Sequence, residues 1–172
     1  MTAAPADSPA DSPADSRTGH LVRLVLDGES LTRLSPVLEA DRAQAVADLL
    51  TDNRFAPTGH APGPFALHLS IQQGRLVFDI RRTDDTPLVA IGLALGPFRR
   101  LIKDYQLLVD SHILAVQEGR EERIQAIDMG RRGLHNEGAE LMMARLRGKA
   151  AIDFATARRL FTLICVLHQR IG

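Results

Sequence analysis

The fold of this chain is decided by the stretch FALHLSIQQGRLVFDIRRTDDTPLVAIGLAL, residues 65–95. Its first two segments alternate large apolar residues with polar or small ones, which is typical of strands that bury one face. Gln73 and Gly74 lie between these segments and fit a two-residue hairpin turn. The register that follows pairs Leu67 with Ile80, Leu69 with Phe78, and Ile71 with Leu76. A shift of one residue would move these side chains to the opposite face, so the pattern specifies the register strongly.

A third strand follows a turn at residues 83–86 and repeats the alternation. The expected cross-strand pairs are Ile80 with Val89, Phe78 with Ile91, and Leu76 with Leu93. The prediction is therefore a three-stranded antiparallel meander with residues 75–82 in the central strand and one apolar face.

The segments before the meander predict a strand, a helix and a loop. The apolar run at residues 21–26 predicts a first strand that ends at the turn residues Asp27 and Gly28. Ser35 as the N-cap and Pro36 in the first turn then predict a helix that extends to about residue 50. Residues 52–64 contain three prolines and two glycines, which predict a loop.

Three helices are predicted after the meander. The dipeptide Gly96-Pro97 starts the first, because proline is favoured at the first helical position. A second helical pattern covers residues 120–147, where glycines leave a break near residues 133–136 open. Asp153 caps the last helix, which has a broad apolar stripe. The order β-α-β-β-β-α-α-α predicts an α+β fold, with helices packed on one face of an antiparallel sheet.

The composition fits one soluble domain, since 45% of the 172 residues are hydrophobic and 24% are charged. We expect this domain to cover residues 19–172. Residues 1–18 contain three tandem Pro-Ala-Asp-Ser copies with almost no apolar surface to bury, so we expect a disordered tail. The chain starts without a basic and apolar signal segment, which predicts a cytoplasmic location. No apolar run reaches the ~20 residues that span a membrane.

Several classes of site are disfavoured by residue counts. Cys165 is the single cysteine and no histidine spacing matches a known ligand motif, so we expect no metal and no cofactor. Aromatic residues make up 4% of the chain, and 21 basic residues balance 21 acidic ones. These counts argue against a dedicated nucleic-acid surface.

Arginines dominate the basic residues, and four Arg-Arg pairs recur at residues 81–82, 99–100, 131–132 and 158–159. Arg99 and Arg100 are the most informative pair, because the first turn of a helix disfavours cations unless an anion is present. A phosphate or carboxylate ligand at this helix start would remove the conflict. The alternative is that both arginines reach Asp84 or Asp104.

The helical pattern at residues 120–147 carries a second set of candidate anion-binding residues. They are Asp128, Arg131, Arg132 and His135. On a continuous helix these residues would share one flank. Such a flank fits a phosphorylated ligand with His135 as a proton donor, and it fits a ladder of intrahelical salt bridges equally well.

Catalysis is the alternative to binding. The hairpin register places His68 opposite Asp79, with Ser70 on the same face, which is the beginning of a general-base arrangement. The other candidate set is His135, Asp128 and Glu137. A surface ion pair would give the same cross-strand pattern as the first set.

Six segments carry a resemblance that covers roughly residues 20–170. They are NRFAPTGH (53–60), LHLSI (67–71), LVFDIRR (76–82), PFRRLIKDY (97–105), AIDMGRRG (126–133) and DFATARRLFTL (153–163). In this order they resemble a bacterial family catalogued as uncharacterised protein family 0262. That family has no assigned activity, ligand or catalytic residue, so the resemblance implies no role for any position.

The residues favour a non-enzymatic protein that binds an anionic ligand or an acidic partner through its arginine pairs. The partner would be a phosphorylated small molecule, RNA or an acidic protein, and no membrane partner is expected. A small hydrolase or transferase is the alternative function. Self-association is a third hypothesis, and it requires an exposed apolar stripe on the last helix. That stripe consists of Phe154, Leu160, Phe161 and Leu167.

Overall fold

The computed structural model describes residues 19–27 and 34–171. The predicted tail at residues 1–18 and the predicted turn residue Gly28 lie outside the described residues. In chain order the elements are β1 (Leu21–Leu26), α1 (Pro36–Thr51), β2 (Phe55–Pro57), β3 (Phe65–Gln72), β4 (Arg75–Arg81), β5 (Pro87–Ala94), a 3₁₀ turn (Gly96–Phe98), α2 (Arg99–Gln117), α3 (Glu121–Leu146), β6 (Ala150–Ile152) and α4 (Phe154–Ile171). The predicted α+β class is confirmed, and β2 and β6 add two short strands to the predicted order.

The main sheet has the strand order β1-β3-β4-β5. The predicted meander register is confirmed at both strand pairs, with Leu69 opposite Phe78 and Phe78 opposite Ile91. β1 pairs with β3 in parallel, placing Leu24 opposite Leu67. This parallel pairing follows from the crossover connection through α1, because a tight turn can join only antiparallel strands. The sheet is therefore antiparallel across β3, β4 and β5 and parallel at β1.

The predicted loop at residues 52–64 needs a correction, because it contains β2. This strand pairs antiparallel with β6, and Phe55 lies opposite Ile152. Each strand has only three residues, which is too short for alternation to be recognised in the sequence. Buried Asn53 stabilises the same region by accepting a hydrogen bond from the Leu21 amide at 2.7 Å.

The helix boundaries follow their predicted capping residues. Ser35 caps α1 by accepting a hydrogen bond from the Leu38 amide, and Asp153 caps α4 by accepting one from the Thr156 amide at 2.9 Å. α3 is continuous from Glu121 to Leu146, so its glycines do not interrupt it. The break that the sequence left open near residues 133–136 is absent.

The apolar face of the sheet packs against α4, and α1 and α3 both pack against α4 in turn. Residues 160–167 of α4 are all buried. Of the stripe required for self-association, Leu160, Phe161 and Leu167 are buried within the chain itself, while Phe154 is 41% exposed. The structure therefore does not offer this stripe as an exposed surface.

Candidate functional site

Arg99 and Arg100 begin α2, as predicted, but they differ in their partners. The Arg100 guanidinium donates to Asp104 at 3.3 Å and to Glu137 of α3. The hydrogen bond with Glu137 is the main cause that raises the pKa of Arg100. Arg99 forms no ion pair with a carboxylate of the described residues. Of the two arginines, only Arg100 is thus paired with carboxylates of the described residues. One of its partners is Asp104, which the alternative interpretation of the sequence expected.

The second predicted set does not form one flank of α3. Arg131 points inward, where its Nη2 donates to Asp41 of α1 at 2.5 Å. His135 is also turned inward, and its ring lies 5.8 Å from that of Tyr105 between centroids. Arg132 is exposed, and Asp128 lies 4.0 Å from Arg131. The set is divided because α2 and α4 cover only one side of α3.

The structure instead brings residues of three helices together around a cleft of about 180 Å³. We call it the arginine cleft. It is lined by Asp41, Gln44, Ala45 and Asp48 of α1, His135 of α3, and Arg158, Arg159 and Thr162 of α4. Of the predicted site residues only His135 lines it, and Arg131 adjoins it through Asp41.

Arg158 and Arg159 line the cleft, and each carries an unsatisfied donor. The Nε atoms of both side chains are buried and have no hydrogen-bond partner among the described residues. The nearest carboxylate contact joins Asp48 to the Nε of Arg159 at 3.9 Å, which is too long for a hydrogen bond. A buried donor without a partner costs about 1–3 kcal/mol, so it calls for an explanation.

The cleft carries a positive excess. The Arg131–Asp41 pair is neutral, and Asp48 compensates for one of the two arginines of α4. His135 adds no charge at pH 7, because burial, together with Arg131 and Arg158, lowers the pKa of its imidazole to about 4. One uncompensated guanidinium charge therefore faces the cleft.

Asp41 organises the inner wall of this region. It accepts hydrogen bonds from the Tyr105 hydroxyl and from Arg131, both at 2.5 Å. Burial is the main cause that raises the pKa of Tyr105, and the nearby Asp41 carboxylate adds to it. Burial also raises the pKa of the Cys165 thiol well above its usual value. Both groups therefore stay protonated at neutral pH.

The buried imidazole predicts acid-sensitive stability. The folded pKa of His135 is about 4 and the ordinary value is 6.5, so the unfolded chain binds more protons between these values. Stability is complete above pH 6.5 and is lost as the pH falls toward 4. From pH 7 to pH 5 we expect His135 to contribute a loss of about 2 kcal/mol.

Urea unfolding at both pH values measures this effect in the wild type and in His135→Gln. The variant should show a loss that is smaller by about 2 kcal/mol. His60→Gln is the control, because it makes the same substitution at an exposed histidine and should leave the contribution of His135 in place. An unchanged pH dependence in His135→Gln would contradict the assignment.

The first candidate catalytic set is not assembled. His68 and Asp79 are cross-strand neighbours, as predicted. The Asp79 carboxylate, however, accepts from Arg81 at 2.8 Å, and the Nε2 of His68 lies 3.5 Å from Asp85. Ser70 accepts instead from Gln72. Arg81 can form an ion pair with Asp79 because both side chains lie on the same face of one strand.

The second candidate catalytic set is also separated. Glu137 pairs with Arg100, and Asp128 lies nearest to His112 and Arg131 at 4.0 Å. The Nε2 of His135 instead faces the Thr162 hydroxyl at 3.5 Å. Neither carboxylate is placed to orient His135 as a base.

A larger cavity of about 460 Å³ lies where the proline-rich loop meets the start of β1. Arg54, His60 and Asp153 are among its lining residues. Among the described residues that line it, none has a buried side-chain donor or acceptor without a partner. Its polar groups therefore give no comparable sign of a missing ligand.

Two kinds of site find no support within the described residues. They contain no group of three or more histidine, cysteine, aspartate or glutamate side chains able to hold a metal ion. None of the helices in this part of the chain combines the length and apolar character needed to cross a membrane.

Comparison with known proteins gives one family. The model of the family described as Uncharacterised protein family (UPF0262) matches residues 18–170. A UPF0262 protein of Granulibacter bethesdensis is 69% identical over 159 residues, covering 88% of this chain and 90% of the relative. One of Acidiphilium cryptum is 64% identical over 152 residues, covering 88% and 94%. One of Maricaulis maris is 53% identical over 150 residues, covering 87% and 94%. No solved structure matches the chain.

Proposed function

The chain belongs to the Uncharacterised protein family UPF0262, whose description names no activity, and from the site itself we propose that the protein binds a small oxyanion in the arginine cleft. It acts as a cytoplasmic binding protein and not as an enzyme. The observation that carries this proposal is the pair of buried, unpartnered Nε donors on Arg158 and Arg159.

An oxyanion would supply what these donors lack. A guanidinium presents its N–H groups as a fork, and a phosphate or carboxylate group accepts two of them at once. The uncompensated positive charge at the cleft favours an anion over a neutral ligand. The Thr162 hydroxyl, which now donates to the Arg158 carbonyl at 3.2 Å, lies in the same wall.

The volume of the cleft indicates the size of the ligand. At about 180 Å³ it is smaller than the ~300–1,000 Å³ of ordinary ligand pockets. It fits a single anionic group, and any larger substituent would extend into solvent. This favours a small molecule over the RNA or acidic protein considered from the sequence.

The arginine cleft supports binding better than the helix start at Arg99 and Arg100. Arg100 is already held by Asp104 and Glu137, and Arg99 is exposed. An exposed guanidinium is satisfied by water, so it gives no sign of a missing partner. Arg158 and Arg159 differ because their Nε atoms are shielded from water.

The proposal predicts that two α4 arginines control anion binding. Inorganic phosphate should stabilise the wild type in thermal unfolding, and calorimetry should give a dissociation constant. The double variant Arg158→Ala/Arg159→Ala should bind about tenfold more weakly or not at all, since hydrogen bonds to charged groups contribute about 1.5–3 kcal/mol. Affinity should also fall as salt is added.

The matched control is Arg99→Ala/Arg100→Ala, which removes another adjacent pair of arginines and should leave the affinity unchanged. Urea unfolding without phosphate shows whether each variant is folded. Loss of binding in the control and not in the α4 variant would move the site to the start of α2. Phosphate binding that neither variant changes would refute both locations.

A further inference from the structure

We infer that the oxyanion is a phosphate group that keeps an acidic proton, and that Asp48 accepts a hydrogen bond from it. This inference rests on the proposed function and names the ligand class for the same site. The class comprises inorganic phosphate and singly protonated phosphomonoesters. It excludes sulfate and phosphodiesters, which carry no acidic proton at neutral pH.

The cleft has a donor wall and an acceptor wall. On the α4 side, Arg158 and Arg159 present guanidinium donors. On the α1 side, Asp41 and Asp48 present carboxylates, which accept hydrogen bonds and donate none. A ligand that touches both walls must therefore accept on one side and donate on the other.

Asp48 is the carboxylate with capacity to spare. Its Oδ1 accepts from the Gln44 side chain at 2.8 Å, while its Oδ2 lies 3.9 Å from Arg159, beyond hydrogen-bond distance. The Oδ2 of Asp41 already accepts from both Tyr105 and Arg131, and the Asp41 side chain is 20% exposed, against 40% for Asp48. Asp48 is thus the acceptor that a ligand proton can reach.

His135 does not supply a positively charged donor to the acceptor wall. Its pKa of about 4 keeps the ring neutral at pH 7, because burial opposes the charge and Arg131 and Arg158 repel it. The Asp41 carboxylate favours protonation of this ring, but its contribution is the smallest of the four causes. His135 therefore adds no cationic donor that could meet the Asp48 carboxylate in place of a ligand proton.

The two walls explain why a fully ionised anion is disfavoured. Sulfate can accept from the arginines, but its oxygens would meet the Asp48 carboxylate with no proton between them. A site that is built to receive a ligand hydrogen bond rejects an analogue that lacks it. The single uncompensated positive charge of the cleft also matches the single negative charge of a monoanionic phosphate.

Calorimetric titration at pH 7 with inorganic phosphate and with sulfate tests the inference. The wild type should bind phosphate about tenfold more tightly than sulfate or better, as expected when a carboxylate is left facing an unprotonated oxygen. Asp48→Asn should bring the two affinities within about threefold, because the amide can donate to either anion. Glycerol phosphate tests the monoester part of the class: it should bind more tightly at pH 6, where the phosphate group keeps a proton, than at pH 8, and equal binding at both pH values would remove monoesters from the class.

The matched control is Asp110→Asn. Asp110 accepts from Gln106 at 2.8 Å at an exposed position of α2, which repeats the i,i+4 contact between Gln44 and Asp48 away from the cleft. This variant should keep the preference for phosphate.

Three outcomes separate the inference from the function it rests on. Equal binding of phosphate and sulfate by the wild type would overturn the inference and leave oxyanion binding standing. A preference for phosphate that survives Asp48→Asn would overturn the role of Asp48. Failure of both anions to bind would overturn the proposed function as well.

Discussion

Asp41→Ala is expected to lower the free energy of unfolding by about 3 kcal/mol, the largest effect of any single change in the candidate site. Asp41 connects α1 to α2 and α3 by accepting from the Tyr105 hydroxyl and from Arg131. Its side chain is 20% exposed and that of Arg131 is 16% exposed, so solvent screens the pair only weakly. Removing the carboxylate leaves a shielded guanidinium and a buried hydroxyl without an acceptor.

Urea unfolding of the wild type and of the variant at pH 7 measures this loss. Asp104→Ala is the matched control, because Asp104 pairs with Arg100 at 3.3 Å on the surface. An exposed pair is strongly screened by solvent, so the control should change stability little. If Asp41→Ala lost no more than Asp104→Ala, the ion pair with Arg131 would have to be open to solvent.

Gly138→Ala is expected to destabilise the protein by about 2–3 kcal/mol. Gly138 lies in α3, and a β-carbon at this position would be 2.4 Å from the ring of Phe161 in α4. Phe161 is completely buried, so its ring has no room to move away. The gain of about 1 kcal/mol in helix propensity is smaller than this overpacking.

A second glycine of α3 provides a control whose substitution should stabilise the protein instead of destabilising it. A β-carbon added at Gly133 would meet no atom of the described residues within 4 Å beyond its own stretch of helix. Gly133→Ala should therefore raise the free energy of unfolding by about 0.5–1 kcal/mol. Urea unfolding of both variants measures the difference. Stabilisation by Gly138→Ala would mean that α3 and α4 do not approach each other as closely as they do here.

Much of the fold could be predicted because its signals are local. The register from Leu67–Ile80 to Ile71–Leu76 follows from alternation and from the Gln73-Gly74 turn. The caps at Ser35 and Asp153 are recognised by residue type and by the helices that follow them. The β2–β6 pair could not be predicted, because three-residue strands carry no periodicity and Phe55 meets Ile152 only after the rest of the domain has folded.

The candidate site was predictable only in part. The recurring arginine pairs were visible, and Arg158-Arg159 was one of them. The sequence favoured Arg99 and Arg100 on the argument from the helix dipole, which does not reveal that Glu137 lies beside Arg100. The useful signal was the position of Arg158 and Arg159 within a strongly apolar helix. Such a helix leaves only a small polar surface beside its buried stripe, so guanidinium groups on it are easily shielded from water.

The meander, the helix starts and the inward face of α4 can be predicted from local sequence, because they depend on residues within a few positions of one another. Which arginines are paired with a carboxylate, by contrast, depends on how the helices pack against one another. Arg131 pairs with Asp41, ninety positions earlier, whereas the buried Nε of Arg158 has no partner within the described part of the chain. Ion pairing depends on distances of a few ångströms between side chains, and those distances are set when α1, α3 and α4 pack together.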